Sequence, residues 1–194
     1  MKRLNLRLLV LVLLLPFLHG CALLLATGVV SGVGAGVAVS QDRRTSGMFV
    51  EDEGIEMKGG RRISEKFGDN VHVNVTSFNR NVLLTGEVPS EKIRNDIGIL
   101  LSGVENVRNV TNEIAVAEVS SFMSRSNDAL VTSKVKGRFI DAGKFQVNHV
   151  KVVTENGVVY LLGLVNRGEA QSAVEIAGST SGVKKVVKVF EYQG

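Results

Sequence analysis

Tryptophan is absent from this 194-residue chain, cysteine occurs once, and rings are scarce, with two Tyr and eight Phe. With so few aromatic side chains, the large anchors that dominate tight protein interfaces are in short supply. A single cysteine excludes an internal disulfide and any cysteine-built zinc site. Beyond residue 20 only His72 and His149 remain as histidines. No His-x-x-x-His spacing or carboxylate cluster in the sequence joins them, and no Gly-x-Ser-x-Gly elbow is present. Both fall on the polar phase of a strand pattern, so they are expected to face solvent. Asp52, Glu53 and Glu56 are expected to form a solvated acidic helix face. No residue set is assembled for a reaction. The sequence predicts no enzyme, no catalytic residue and no metal site.

Acidic residues are missing from residues 1–20, which carry Lys2, Arg3 and Arg7. The formal charge of +4 therefore falls to +1 for residues 21–194, which hold 20 basic and 19 acidic side chains. Basicity gives no argument for nucleic acid, and none is expected as a partner. The charge is instead split, −3 over residues 21–123 and +4 over residues 124–194. The two halves are expected to meet different surfaces.

Those early basic residues precede an apolar run, Leu8 to Leu18, broken only by Pro16 and followed by His19-Gly20-Cys21. This is the build of a secretory signal peptide, expected over 1–20. A Cys directly after the cut resembles a lipobox, where bacterial lipoproteins are cleaved and acylated, although His19 stands where a small residue is usual. Cys21 is the expected lipidation site, and its covalent lipid (palmitate class) is the one attached group; no other cofactor is expected. Charge is also missing from Cys21 to Val39. Residues 21–46 are read as a lipidated Gly-rich tether. The rival reading is a membrane span, since the run joined to the signal is long enough and Gly28, Gly32 and Gly36 have small-xxx-small spacing. Asp42 to Gly47 is polar and reads as a linker.

Past the tether the chain repeats itself. In the first copy Val71, Val73 and Val75 alternate with His72 and Asn74, a half-buried strand. Asn79-Arg80-Asn81 turns, Val82 to Val88 returns, and Ser90 caps a helix whose apolar face is Ile93, Ile97, Leu100 and Leu101. Val107 to Val116 is a last strand. In the second copy, Val150 and Val152 align with Val73 and Val75, Asn156-Gly157 is a hairpin turn, and Gly163 matches Gly86. Arg167 to Ala177 is the helix, with Ala170, Ala173, Val174 and Ala177 inward, and Gly182 to Val189 matches Gly103 to Val110. A helix precedes each copy: Glu51 to Phe67, broken at Gly59-Gly60, and Asp128 to Ile140, capped by Ser126 or Asn127. The expected class is α+β: two αββαβ domains, each a three-stranded sheet with two helices on one face. The first is expected over 47–117 and the second over 125–194, with a linker at 118–124.

On the helix from Asp128, Val131, Val135 and Phe139 form one stripe and face the core. Leu130 lies off that stripe beside Lys134 and Gly137, with Lys136 on the other side. The residues alone leave two readings open: a solvated helix with one stray Leu, or a shallow membrane contact combining apolar insertion with attraction to anionic headgroups.

The element order and the Gly-Val-x-x-Val ending resemble BON domains. The whole chain from Cys21 resembles the dual-BON-domain outer-membrane lipoproteins. Matching segments are Asp42-Arg43-Arg44-Thr45-Ser46-Gly47, and Ser126-Asn127-Asp128 followed by Val131-Thr132-Ser133-Lys134-Val135-Lys136. Lys151-Val152-Val153-Thr154-Glu155-Asn156-Gly157 and Leu162-Gly163-Leu164-Val165 complete the set. The resemblance implies a lipid-anchored, non-enzymatic protein on the periplasmic face of the outer membrane. Such a protein binds anionic phospholipid through its second domain and supports outer-membrane integrity. The implied lipid face is Leu130, Ser133, Lys134, Lys136, Gly137 and Ile140; Leu130 stands where the related proteins carry Trp. Ala22 follows the Cys where an inner-membrane retention signal would show Asp. The rival function is an adaptor for the outer-membrane protein assembly machinery, with lipid contact incidental. A third reading is a module binding a soluble ligand in a deep pocket.

Overall fold

The computed structural model describes residues 42–193, in which the order helix, strand, strand, helix, strand occurs twice. Cys21, the Gly-rich tether and its rival reading as a span lie outside the described residues. Among the described residues no helix is long and apolar enough to cross a membrane.

The first unit opens with α1, Ser46–Phe67, capped by Thr45, whose Oγ1 accepts the Met48 N–H at 3.2 Å. The helix begins ahead of the expected Glu51 and runs unbroken through Gly59-Gly60. Gly59 serves packing instead of breaking the helix. A Cβ there would sit 2.6 Å from Leu101 Cδ1 and 3.3 Å from Val75 Cγ1, so glycine lets the helix approach its neighbours closely. Strands β1, His72–Phe78, and β2, Asn81–Val88, pair antiparallel. Helix α2, Glu91–Ser102, is capped by Ser90 as expected. The expected last strand is split into β3, Asn109–Asn112, and β4, Ala115–Val116, both parallel to β2. Asn112 causes the break: its side chain donates to Arg94 O at 2.9 Å and accepts the Ile114 N–H at 3.3 Å. The chain turns there, and Ile114 enters the core.

The second unit opens with α3, Phe122–Ala142, capped by Ser121, whose Oγ accepts the Ser124 N–H. The expected start at Asp128, the caps Ser126 or Asn127 and the last part of the linker 118–124 are thus replaced by an added N-terminal stretch of helix. Strands β5, Val150–Glu155, β6, Val158–Val165, and β7, Lys185–Tyr192, form a three-stranded sheet in that order, β7 parallel to β6. Helix α4, Arg167–Gly178, starts at a reciprocal capping box of Asn166 and Glu169.

Each unit has its own core. Ile55, Ile63, Leu84, Ile97 and Leu101 centre the first; Val131, Val135, Phe139, Leu161 and Ala173 centre the second. Gly86 and Gly163 occupy equivalent places, as the repeat requires. A Cβ on Gly86 would lie 2.0 Å from His72 O, and one on Gly163 2.4 Å from His149 O. Both hairpin turns have two residues with positive φ, Asn79 and Arg80 in one, Asn156 and Gly157 in the other. This suits the right-handed strand twist. A helix aspartate brackets each turn. Asp52 accepts the Asn79 and Arg80 N–H groups at 2.8 and 2.7 Å, and Asp128 accepts those of Asn156 and Gly157 at 2.8 Å. Asp52 is therefore buried, and Glu56 accepts the Ser77 N–H. The expected solvated acidic face is corrected to a structural latch, with Glu53 alone exposed.

A third apolar cluster unites the units. Phe78 and Leu83 pack with Tyr160 and Leu162, and Val153, Val158, Leu164, Val187 and Val189 surround them. The helix-free faces of the two sheets meet there, giving the layer order helices, sheet, sheet, helices. Strands β2 and β6 are consequently buried on both faces. Around the apolar centre, Lys151 Nζ reaches Glu56 at 2.6 Å and Asn79 Nδ2 reaches Glu191 at 2.8 Å. The expected linker Asp42 to Gly47 is also corrected, because its first part straps both units. Arg43 grips Glu169 through two bonds of 2.7 and 2.9 Å. Arg44 pairs with Asp42 and Asp52 and stacks 4.0 Å above the Phe78 ring.

Candidate lipid-contact site

Helix α3 presents two opposite faces. Val131, Val135 and Phe139 are buried in the second core, as expected, with Asp128 beside them. At about 100° per residue, the opposite stripe gathers Phe122, Met123, Leu130 and Ile140. These are 77, 76, 61 and 66% exposed. Between them the stripe carries Ser126, Ser133 and Gly137, so no bulky polar group interrupts it. Arg125 and Lys136 border it on one side and Lys134 on the other, all exposed. A flank of basic side chains around an apolar stripe is the pattern of a helix lying in a membrane interface.

The structure thus brings the six candidate residues Leu130, Ser133, Lys134, Lys136, Gly137 and Ile140 onto the outer side of one helix. Gly137 is half-buried where it was expected to be exposed. Phe122 and Met123 were missed by sequence reasoning, which assigned them to a linker. The signal was present: an adjacent apolar pair seven and eight residues before Leu130 falls on Leu130's face.

The first unit exposes Val50 and Met57 on α1 and Ile99 on α2. Phe49, Val116 and Val119 are also exposed, but the set is spread over α1, α2 and the end of the sheet and is not gathered on one helix face. In the second unit, a groove of about 690 Å³ runs between α4 and β7, lined by Arg167, Ala170, Gln171, Val174, Lys188 and Tyr192.

Both histidines depart from expectation, since neither faces solvent. His149 is buried, 3.6 Å from Glu169. His72 Nδ1 lies 2.9 Å from Glu87 Oε2, beneath the second sheet. Burial raises the Glu87 carboxyl, but bonds from His72, Asn156 and the Ser120 N–H outweigh it and hold the group below the ordinary glutamate range. Burial pushes Glu155, across the domain junction, the other way; the Asn74 amide and His72 offset only part of it. His72, Glu87 and Glu155 thereby come together with potential ligand atoms all within 4.8 Å.

The BON domain model matches residues 52–118 and 127–194. The outer membrane lipoprotein DolP of Haemophilus influenzae is 38% identical over 178 residues, 91% of this chain and 90% of that protein. A 21 kDa hemolysin of Actinobacillus pleuropneumoniae is 32% identical over 153 residues, 78% and 79% of the two chains. Osmotically-inducible protein Y of Escherichia coli is 29% identical over 158 residues, 78% of each. The chain belongs to the BON family, as a dual-BON-domain protein of the DolP type.

Proposed function

We propose that this chain is a non-enzymatic outer-membrane lipoprotein, anchored through Cys21 on the periplasmic face, that lays α3 on anionic phospholipid and so supports outer-membrane integrity. The name of the Haemophilus relative, an outer membrane lipoprotein, supports the location. The observation that carries the lipid reading is the exposed stripe Phe122, Met123, Leu130 and Ile140, flanked by Arg125, Lys134 and Lys136, opposite the core face. Apolar side chains would enter the headgroup boundary while the flanking cations meet phosphate. Each basic residue near an anionic surface contributes about 1 kcal/mol. The adaptor reading would draw on Phe49, Val50 and Met57 of α1, which lack the basic flank that borders the α3 stripe on both sides.

Liposome co-sedimentation of the folded unit, with and without anionic lipid, tests the proposal. Leu130→Glu and Lys134→Glu should each weaken binding to anionic vesicles, and Phe122→Ser with Met123→Ser should weaken it further. The Lys134→Glu loss should grow at low salt, where headgroup attraction is less screened. Val50→Glu should have little effect. Unchanged binding of the Leu130→Glu, Lys134→Glu double variant, with circular dichroism intact, would sink the reading.

A further inference from the structure

We propose that His72, Glu87 and Glu155 form a binding site for a divalent transition metal of the zinc class, placed at the junction of the two domains. The three residues come from the outward phases of β1, β2 and β5, and the stacking of the two sheets brings them together. His72 and Glu87 are directly paired across β1 and β2, and Glu155 meets them from the second domain. The site is therefore invisible in either repeat alone.

The set has the features a metal site needs. Its donors are one imidazole and two carboxylates, which suit Zn²⁺ or Co²⁺ better than the all-oxygen shells of Ca²⁺ or Mg²⁺. The carboxylates are 1 and 7% exposed. Each is held by a neighbour: Asn156 Nδ2 donates to Glu87 Oε1 at 2.5 Å, and Asn74 Nδ2 donates to Glu155 Oε2 at 2.9 Å. Such outer partners orient metal ligands and raise their affinity. Two buried carboxylates lie beside one imidazole, so a dication would supply the positive charge that such a pair of acids calls for. Tetrahedral zinc needs its ligands roughly 3.3 Å apart. The donor atoms must close in from 4.8 Å, a movement of side-chain torsions. A cavity of about 350 Å³, lined by His72, Asn74, Arg125, Asp128, Thr132 and Glu155, gives an ion a way in and leaves room for a water as fourth ligand. With ligands from both domains, the bound ion would staple one sheet to the other.

The test uses the untagged full-length chain in detergent micelles, stripped with chelator. Zn²⁺ titrated by calorimetry should bind at one equivalent per chain, and Co²⁺ should develop the visible absorption of a low-coordinate site. Zinc should raise the thermal midpoint, since it binds only the folded chain. His72→Gln and Glu155→Gln should each weaken binding at least tenfold, while Glu53→Gln, on the exposed face of α1, should leave it unchanged. Affinity should fall as pH drops, because protons compete for all three ligands. If the cluster variants lose their fold, X-ray absorption of the zinc-loaded native chain decides: one imidazole nitrogen with oxygen ligands supports the site, and any other ligand set overturns it. Absence of saturable zinc binding by the native chain, or unaltered binding in the double variant His72→Gln, Glu155→Gln, overturns the proposal and leaves the cluster a hydrogen-bond network.

Discussion

Asp128 accepts the backbone N–H of Asn156 at 2.8 Å and, through its other oxygen, that of Gly157 at the same distance. Asp52 does the same for Asn79 and Arg80 one repeat earlier. A helix thus fixes the hairpin it packs on, in both domains. Asp128→Ala would leave the buried Gly157 N–H and the half-buried Asn156 N–H without their charged acceptor. The expected loss is roughly 2–4 kcal/mol, measured by urea unfolding. Asp128→Asn should lose less. A loss under about 0.5 kcal/mol would show that water replaces the carboxylate at no cost.

The Arg43 strap sets an acid limit. Burial raises the Glu169 carboxyl, but Arg43 and the Asn166 N–H outweigh it, and the group titrates below its ordinary value of 4.5. A depressed folded pKa contributes stability that is complete above the unfolded value and is lost as pH falls through the folded one. Arg43→Ala should therefore cost about 1–2 kcal/mol at pH 7. The gap to the native chain should narrow below about pH 4.5, as Glu169 is protonated in the unfolded and then the folded chain. A gap that stays constant from pH 7 to pH 3 would show that the pair adds nothing to acid stability.

Two glycines should respond oppositely to alanine. Gly86 has φ near 116° and no room for a Cβ beneath the His72 carbonyl, so Gly86→Ala should destabilise by about 3 kcal/mol or more. Gly137 lies inside α3 with nothing within 4 Å of a Cβ. There Gly137→Ala should stabilise by about 0.5–1 kcal/mol, through helix propensity alone. Thermal melts of the two variants side by side check both signs.

Cys21→Ala should release the chain from the membrane fraction, since the anchor is expected to be the acyl group and not the Gly-rich run that follows. Retention of the variant through an alkaline carbonate wash would mean that the run itself spans the bilayer.

What the sequence made legible was local. Period-two valines, the Asn156-Gly157 turn, the Ser90 cap and the matched glycines Gly86 and Gly163 each follow from short-range chemistry, and all fall where expected. The docking of the domains was not legible, because its partners are far apart in the chain. His72, Asn74 and Thr76 read as a solvent phase when β1 is considered alone, yet the second sheet covers their side of the first. One sign was available: Val158 to Val165 is apolar on both phases, as is Val82 to Leu84, the mark of strands covered on both sides. The start of α3 was missed for a related reason. Phe122 and Met123 do not follow the core stripe, since they belong to the outward one.

The stacking of sheet on sheet also fixes a direction. With helices on the two outer layers, α3 and α1 look opposite ways. Layers are spaced by about 10 Å, so a chain lying on a bilayer through α3 holds α1 roughly 30 Å above it. That height is set by Phe78, Leu83, Tyr160 and Leu162 locked in the middle, not by the length of a flexible connection. If the proposed contact through α3 holds, the first domain would become a raised deck, and whatever approached from the aqueous side would meet α1 and α2 at a constant altitude and tilt.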